Sequence, residues 1–156
     1  MKHTTLKLTG SIALALLLAL GASAQEKKLK KSDLPAAVQK TADEQSKGAT
    51  VKGYGSETED GKLMYEVELT VNGHSKDVSI APDGAVLEVE EEVTVDSLPA
   101  EVREGLKQKA GAGKIGKVES LTKQGKLVAY EAQVRTNGKK SEIQVGPDGK
   151  ALAHPE

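Results

Sequence analysis

The chain has 156 residues with 22 basic and 23 acidic side chains, and it contains no Cys, Phe or Trp. Without cysteine it can form no disulfide, thiolate metal site or thiol nucleophile, and it carries no cysteine for lipoprotein acylation. The balanced charge shows no clustered basic excess, which argues against a nucleic-acid-binding protein. The protein therefore folds without covalent cross-links.

The start of the chain is typical of a secretory signal peptide. A positively charged beginning leads into an unbroken apolar run of nine residues, Ile12 to Leu20, and Ala22-Ser23-Ala24 fits the small-residue rule for cleavage. The alternative, a membrane anchor, needs about 20 apolar residues. We predict a signal peptide over residues 1–24 and a periplasmic or secreted mature chain without a membrane span. Residues 25–31, rich in lysine, are interpreted as a disordered basic spacer.

Several motifs occur twice along the remaining chain. Leu34-Pro35-Ala36 recurs as Leu98-Pro99-Ala100, 64 residues later, and Pro82-Asp83-Gly84 recurs as Pro147-Asp148-Gly149, 65 residues later. Matches in register that include turn signals indicate an internal repeat. The predicted organisation is module 1 over residues 32–92, a linker over 93–95 and module 2 over 96–156.

Each copy has the same pattern of elements. A proline in the first turn favours a helix at the start of each copy. Apolar and polar residues alternate from Leu63 to Val71, which is typical of a half-buried strand. Asn72-Gly73 and Asn137-Gly138 are strong hairpin signals, since both residue types tolerate positive φ. We therefore predict an α+β fold of two tandem modules, each one helix packed on a four-stranded antiparallel meander with a polar outer face.

The order of these motifs resembles the PepSY-like family. It is similar, more narrowly, to exported bacterial tandem proteins grouped as PepSY-like or β-lactamase-inhibitor-like. The resemblance rests on Leu-Pro-Ala-x-Val, on Gly-Lys with Tyr-Glu, on the Asn-Gly hairpin and on Pro-Asp-Gly, from about Ser32 to Leu152. It implies a non-enzymatic binding or modulatory protein of the cell envelope. Such a protein holds a protein or peptide partner, for example a peptidase or other hydrolase, on exposed sheet surface.

The outward positions of the predicted strands are the candidate partner-binding residues. Arg135 is the most specific of them, because its guanidinium can make a bidentate contact with a carboxylate. The alternative is that Arg135 pairs with Glu142 across its hairpin, a contact of less than about 1 kcal/mol. The candidate set is Glu66, Glu68, Asp77, Glu131, Gln133, Arg135 and Glu142.

Catalytic and metal motifs are absent from the sequence. His74 and His154 stand without a sequence partner, and no Gly-x-Ser-x-Gly or His-Glu-x-x-His pattern occurs. We expect no enzyme activity, no catalytic or metal-binding residues and no cofactor. The acidic run Glu88 to Glu92, with Asp96 nearby, is interpreted as a charged edge strand and linker. The alternative function is a structural or stress-related envelope protein, or a weak cation binder that uses this run.

Overall fold

The strands of this protein form one antiparallel sheet in which every strand pairs with its neighbours in the sequence. The computed structural model describes residues 27–59 and 61–156, so the predicted signal peptide lies outside the described residues. The eight strands lie side by side in chain order. They are β1 (Lys27–Leu29), β2 (Thr50–Glu59), β3 (Lys62–Val71), β4 (His74–Ile80), β5 (Val86–Val93), β6 (Lys114–Lys123), β7 (Lys126–Thr136) and β8 (Lys139–Val145).

The predicted fold class, two tandem modules that each place a helix on a four-stranded meander, is wrong. Strand β5, from the predicted first module, pairs with β6, from the predicted second module, from Glu88 opposite Lys123 to Val93 opposite Val118. A strand edge left open here would expose a row of unpaired backbone groups, and pairing removes that edge. The expected last strand of the second copy reduces to a single bridge between Val145 and Ala151. The result is one open eight-stranded sheet.

Two α-helices accompany the sheet in the described ranges, α1 (Ala36–Gln45) and α2 (Ala100–Ala110). Pro35 and Pro99 occupy their N-cap positions, where a missing N–H costs nothing. Val38 and Ala42 of α1 are buried against β3 and β4, in a cluster with Val67, Leu69, Val78 and Ile80. A second cluster joins Val102 and Leu106 of α2 to Val118, Ala132 and Val145. The apolar phase predicted for these strands is the phase that faces the helices.

The turns follow the residue types at their tips. Asn72 and Gly73 have φ values of 51° and 90°, and Asn137 and Gly138 have 52° and 81°. Positive φ at both central residues is the requirement of the type I′ hairpin turn, which explains the Asn-Gly pairs. Gly84 also has a positive φ, and the Ala85 N–H donates to Asp83 Oδ1 at 3.0 Å.

Part of the predicted basic spacer is ordered. Lys27–Leu29 pair with Ser56, Gly55 and Tyr54 of β2, so these residues form the first edge of the sheet rather than a disordered segment. Leu29 also packs against the cluster beneath α1. No helix within 27–59 or 61–156 is long and apolar enough to cross a membrane.

Candidate functional site

The sheet face opposite the helices carries a dense set of carboxylates, and we call it the acidic face. Successive residues of a strand point to opposite faces. Asp77 alternates with Val78, Glu119 with Val118 and Glu131 with Ala132, and each of these apolar partners belongs to a core cluster. By the same alternation and the register of the strands, the acidic face holds Glu57, Glu66, Glu68, Asp77, Glu88, Glu90, Glu92, Glu119, Glu131 and Glu142.

The strand register arranges these carboxylates in rows that cross the sheet. In one row Glu68 of β3 lies opposite Asp77 of β4, which lies opposite Glu90 of β5. The row then becomes apolar, because Glu90 lies opposite Leu121 and Leu121 opposite Ala129. In the next row Glu92 lies opposite Glu119, followed by Glu131 and Gln144.

Three carboxylates from the two rows come together at the centre of the face. One oxygen each of Asp77, Glu90 and Glu119 lies within 4.8 Å of the others, and we call these residues the carboxylate cluster. Lys117 Nζ donates to Glu119 Oε1 at 2.7 Å, and it lies 3.5 Å from Ser75 Oγ. Glu119 is only 3% exposed. Among the described residues, Glu119 is therefore the one member of the cluster that forms an ion pair, and its partner is Lys117.

The acid–base properties of the cluster reflect burial and crowding of like charges. Burial raises the pKa of Glu90 to about 9, and the charges of Glu119, Glu88, Glu131 and Asp77 act in the same direction. Burial also raises the pKa of Asp77 to about 6, where Glu119 and Glu68 add to the effect and Lys117 opposes it. The pKa of Lys117 is raised although burial lowers it, because the hydrogen bond and charge of Glu119 outweigh burial. Lys117 therefore keeps its positive charge. The cost of crowding the like charges appears in the raised pKa values of Glu90 and Asp77.

A second buried group lies beside the cluster on β7 and β8. Gln144 Nε2 donates to Glu131 Oε2 at 2.7 Å, and both side chains are buried. The N–H of Glu156 donates to Gln144 Oε1 at 2.8 Å, which places residue 156 over this end of the face. Burial raises the pKa of Glu131, and the bond from Gln144 only partly offsets it. Burial and Glu119 together raise the pKa of Glu142.

Near the other end of the cluster, hydrogen bonds stabilise the charged form of the Glu92 side chain. Its Oε2 accepts the Ser75 N–H at 3.0 Å and the Ser75 hydroxyl at 3.3 Å. The Ser75 N–H bond is the largest cause of a lowered pKa for Glu92. His74 Nδ1 lies 3.6 Å from Glu92 Oε1, so His74 has a carboxylate partner that the sequence did not indicate.

The structure brings most of the predicted partner-binding residues onto one surface. Glu68 and Asp77 face each other across β3 and β4, and Gln133 lies opposite Glu142. Glu131 belongs to the buried pair with Gln144 described above, and Glu66 lies opposite Ser79. Arg135 stands apart from them. It lies opposite Lys140 at the exposed end of β7 and donates to the Gly138 carbonyl at 3.5 Å, so the alternative pairing with Glu142 is not formed among the described residues.

Sequence reasoning missed the centre of the site, namely Glu90, Glu119 and Lys117. Lys117 and Glu119 flank Val118 in strict alternation, which is a signal for the polar side of a strand. Glu90 belongs to the acidic run Glu88 to Glu92, which had been interpreted as an edge strand. That interpretation is wrong, because β5 pairs with strands on both of its sides.

The comparisons with known proteins concern the fold. No family model and no curated protein matches the chain. A protein of Bacteroides eggerthii named as periplasmic has 20% identity, with 76% of this chain and 86% of that chain covered and a TM-score of 0.64. A BLIP-like protein of Bacteroides fragilis has 20% identity, coverage of 76% and 83% and a TM-score of 0.59. A DUF2874 family protein of Bacteroides ovatus has 20% identity, coverage of 76% and 84% and a TM-score of 0.61.

These likenesses agree with the β-lactamase-inhibitor-like grouping that the sequence motifs suggested. The three structures support a BLIP-like fold, and they do not show membership of the PepSY-like family. At 20% identity the comparison concerns the arrangement of the sheet and helices. The described part of the chain therefore has a BLIP-like fold.

Proposed function

We propose that this chain is an exported, non-enzymatic binding protein of the bacterial cell envelope that holds a protein or peptide partner on its acidic face. The partner would present lysine or arginine side chains to the carboxylates. The periplasmic name of the Bacteroides eggerthii structure and the signal-like start of the chain support export. The PepSY-like resemblance supports the class of function, with a peptidase or other hydrolase as the implied partner.

The observation that carries the proposal is that four carboxyl groups of the acidic face have no cationic partner among the described residues. Within the described ranges Asp77, Glu90, Glu131 and Glu142 make no ion pair, and the ammonium group of Lys117 is bonded to Glu119. Each of these four carboxyls has a raised pKa. A cationic partner would relieve this repulsion, so charge complementarity favours such a partner over a neutral or acidic one.

The composition of the face indicates what kind of binding to expect. Tight interfaces are usually anchored by Trp, Tyr and Arg, and the acidic face offers Arg135 only at its margin. Contacts made mainly by charge accelerate association and are weakened by salt. We therefore expect fast association and strong dependence on ionic strength.

An oligolysine peptide is a suitable probe of this surface. Its affinity is measured by calorimetry for the wild type, for the double variant Asp77→Asn/Glu142→Gln, and for a control in which two exposed carboxylates of α2 are removed, Glu101→Gln/Glu104→Gln. The face variant should bind about tenfold more weakly, the equivalent of 1.4 kcal/mol, and the control should bind like the wild type. Equal loss in both variants would mean that the peptide responds to net charge only, and the acidic face would be rejected.

A divalent cation is the second candidate ligand, and the carboxylate cluster is the observation that favours it. Oxygens from Asp77, Glu90 and Glu119 lie within 4.8 Å of one another, and Ca²⁺ prefers several oxygen ligands. The cluster replaces the acidic run proposed from the sequence, since Glu90 is the only member of that run within it. Calcium titration of the wild type and of Glu119→Gln tests it. Heat of binding that Glu119→Gln removes supports a cation site, and an equal response rejects it.

A further inference from the structure

Strand β8 forms one edge of the sheet, and it repeats the position that β4 occupies in the first half of the chain. The two strands, His74–Ile80 and Lys139–Val145, lie 65 residues apart, and each follows an Asn-Gly turn. β4 pairs with β5 on the side away from β3. In the described ranges, β8 has on the corresponding side only a single bridge between Val145 and Ala151. We call this the open side of β8.

The turns that follow β4 and β8 have the same geometry, so the two halves can be compared directly. In each turn the first N–H donates to the carbonyl four residues later at 2.8 Å. Each turn then brings the chain back beside its strand, with Val86 opposite Ile80 and Ala151 opposite Val145. In the first half the pairing continues along β5 to Glu91. In the second half it ends at the single bridge within the described residues.

The hairpin between β7 and β8 identifies the backbone groups on the open side. Thr136 lies opposite Lys139 and closes the two-residue turn, so Lys139 and the alternate residues after it bond to β7. The residues between them, Lys140 and Glu142, then direct their N–H and C=O groups to the open side. These backbone groups can bond to a further strand.

Two hydrogen bonds agree with this direction. Ser75 of β4 corresponds to Lys140, and its N–H donates to Oε2 of Glu92 on β5 at 3.0 Å. The carbonyl of Gln144, the next residue in the same alternation, accepts a hydrogen bond from Lys109 Nζ at 2.8 Å. A side chain of α2 therefore satisfies one carbonyl that a neighbouring strand would otherwise bond.

The core is less well covered beneath β8 than beneath β4. Val78 lies opposite Val89 of β5 and is fully buried. Ile143, which corresponds to Val78, packs against the second core cluster but is only partly buried. Lys140 and Ser141 are exposed, whereas the corresponding residues of β4 are half-buried. An apolar side chain opposite Ile143 would complete the cover of the core.

The charges along β8 indicate which kind of strand fits its open side. Lys139 and Lys140 lie at its exposed end and make no ion pair in residues 27–59 and 61–156. In the first half, β5 places Glu92 at the position that corresponds to a contact with Lys140. The other edge strand, β1, carries Lys27 and Lys28, so it would bring like charges together if a second copy paired through it. Charge complementarity therefore favours an acidic strand.

We infer that the open side of β8, from Lys139 to Ile143, is a docking site for an extended acidic segment of another protein, which adds one strand to the sheet. The segment places an apolar residue opposite Ile143 and a carboxylate beside Lys140. In strand addition of this kind, backbone hydrogen bonds provide affinity and alternate side chains provide specificity. The acidic face would repel such a segment, so this site can be tested separately from the proposed function.

A synthetic peptide with the sequence of Val86–Val93 and the change Glu90→Gln is a suitable probe. It copies the strand that pairs with β4, and the change removes the carboxylate that would meet Glu142. Fluorescence anisotropy should show saturable binding to the wild type. Lys140→Ala removes the charge and should weaken binding about threefold. Lys140→Pro also removes the outward N–H, which an edge strand tolerates, and should weaken binding about tenfold.

The two variants at position 140 separate backbone pairing from simple charge attraction. Equal affinities for Lys140→Ala and Lys140→Pro would overturn the inference, and so would the absence of saturable binding to the wild type. If Lys140→Pro fails to fold, peptides N-methylated at alternate residues test the same point on the wild type. Methylation of one alternate set should abolish binding and methylation of the other should not. Equal binding of the two peptides would overturn strand pairing.

Hydrogen exchange locates the bound peptide, and sedimentation of the chain alone identifies a competing occupant. The peptide should protect the amides of Lys140 and Glu142 and leave those of β1 unchanged. Protection of β1 without β8 would overturn the assignment. The chain alone should sediment as a monomer. A dimer that Lys140→Pro dissociates would assign the open side to a second copy of the chain and overturn the acidic segment as its occupant.

Discussion

Glu90 and Glu92 project from the same face of β5, two residues apart, and the fold shifts their pKa values in opposite directions. Glu90 lies opposite the buried Leu121, and its pKa rises to about 9 through burial. Glu92 accepts two hydrogen bonds from Ser75, and its pKa is lowered. One strand therefore places a carboxyl that favours its proton beside a carboxyl that favours its charge.

Replacement of Glu92 tests whether the hydrogen bonds from Ser75 stabilise its charged form. Because the pKa of Glu92 is lowered on folding, its contribution is present above the ordinary value of 4.5 and is lost as the pH falls through the folded value. Glu92→Gln should cost less than about 1 kcal/mol at neutral pH, since the side chain is partly exposed. Urea denaturation of the variant and the wild type should show the difference shrinking as the pH falls below 4.5. A difference that stays constant with pH would contradict the hydrogen-bond explanation.

Removal of Lys117, the ammonium partner of Glu119, should be costly. Lys117→Met leaves the carboxylate of Glu119 buried without its partner, and breaking a buried pair in this way costs about 3 kcal/mol, or less because Lys117 is partly exposed. The double variant Lys117→Met/Glu119→Gln should recover most of the loss, because no unpaired charge remains. Chemical denaturation of the single and double variants checks this. If the double variant were as unstable as Lys117→Met, packing of the lysine chain would explain the loss.

The local elements of this fold could be predicted from the sequence because they depend on nearby residues. The Asn-Gly pairs predicted both hairpins, and the alternation from Leu63 to Val71 predicted which side of β3 is buried. The partner of β5 could not be predicted in this way. Periodicity says that a segment is a strand and which face is apolar, but it does not say which strand lies beside it. For that reason the sequence suggested two modules, whereas β5 and β6 join the halves in one sheet.

Part of the candidate site could be predicted because strand alternation is also a local signal. Glu68, Asp77 and Glu142 were assigned to the correct side of their strands from alternation alone. The carboxylate cluster depends on the pairing of β5 with β6, because Glu90 meets Glu119 only when these two strands are neighbours. Residues that become close only through a contact between distant segments leave no local signal in a single sequence.

The two strand tyrosines should be important for stability. Tyr65 packs against the cluster beneath α1, and Tyr130 packs against the cluster beneath α2. Truncation of a large side chain that packs on a core costs about 3 kcal/mol. We expect Tyr65→Ala and Tyr130→Ala to lose about this much in chemical denaturation and Glu66→Ala, on the opposite face, to lose little. The reverse ranking would mean that the faces of the sheet are assigned the wrong way round.

The predicted export can be checked by mass. Ala22 and Ala24 satisfy the small-residue rule, so the exported protein should begin at Gln25. Intact-mass measurement of protein purified from the periplasm or medium identifies the first residue directly. Retention of residues 1–24 on that material would contradict the prediction, and an Ala24→Leu variant, which removes the small residue, should slow processing.

The closest backbone approach between a helix and a turn lies in the second half of the chain. A Cβ built at Gly105 of α2 would lie 1.9 Å from the Gly149 carbonyl oxygen, and one built at Gly149 would lie 2.1 Å from the Glu101 carbonyl oxygen. In the first half the contact is looser, and Thr41 Oγ1 donates to the Gly84 carbonyl at 2.7 Å. Helix α2 therefore packs directly against the turn that contains Gly149. Neither Gly105 nor Gly149 leaves room for a side chain at this contact.

Substitution of either glycine should push α2 away from the sheet. Gly105→Ala and Gly149→Ala should each destabilise the protein by about 2–3 kcal/mol, the cost of overpacking, and Gly149→Ala adds strain at its φ of +76°. Gly116→Ala is the matched control, because its Cβ would meet only Gln133 at an ordinary distance of 3.5 Å. Thermal or chemical denaturation of the three variants measures how much stability each substitution removes. Should Gly105→Ala be as stable as Gly116→Ala, the turn must yield easily, and the contact between Gly105 and Gly149 would not be what positions α2.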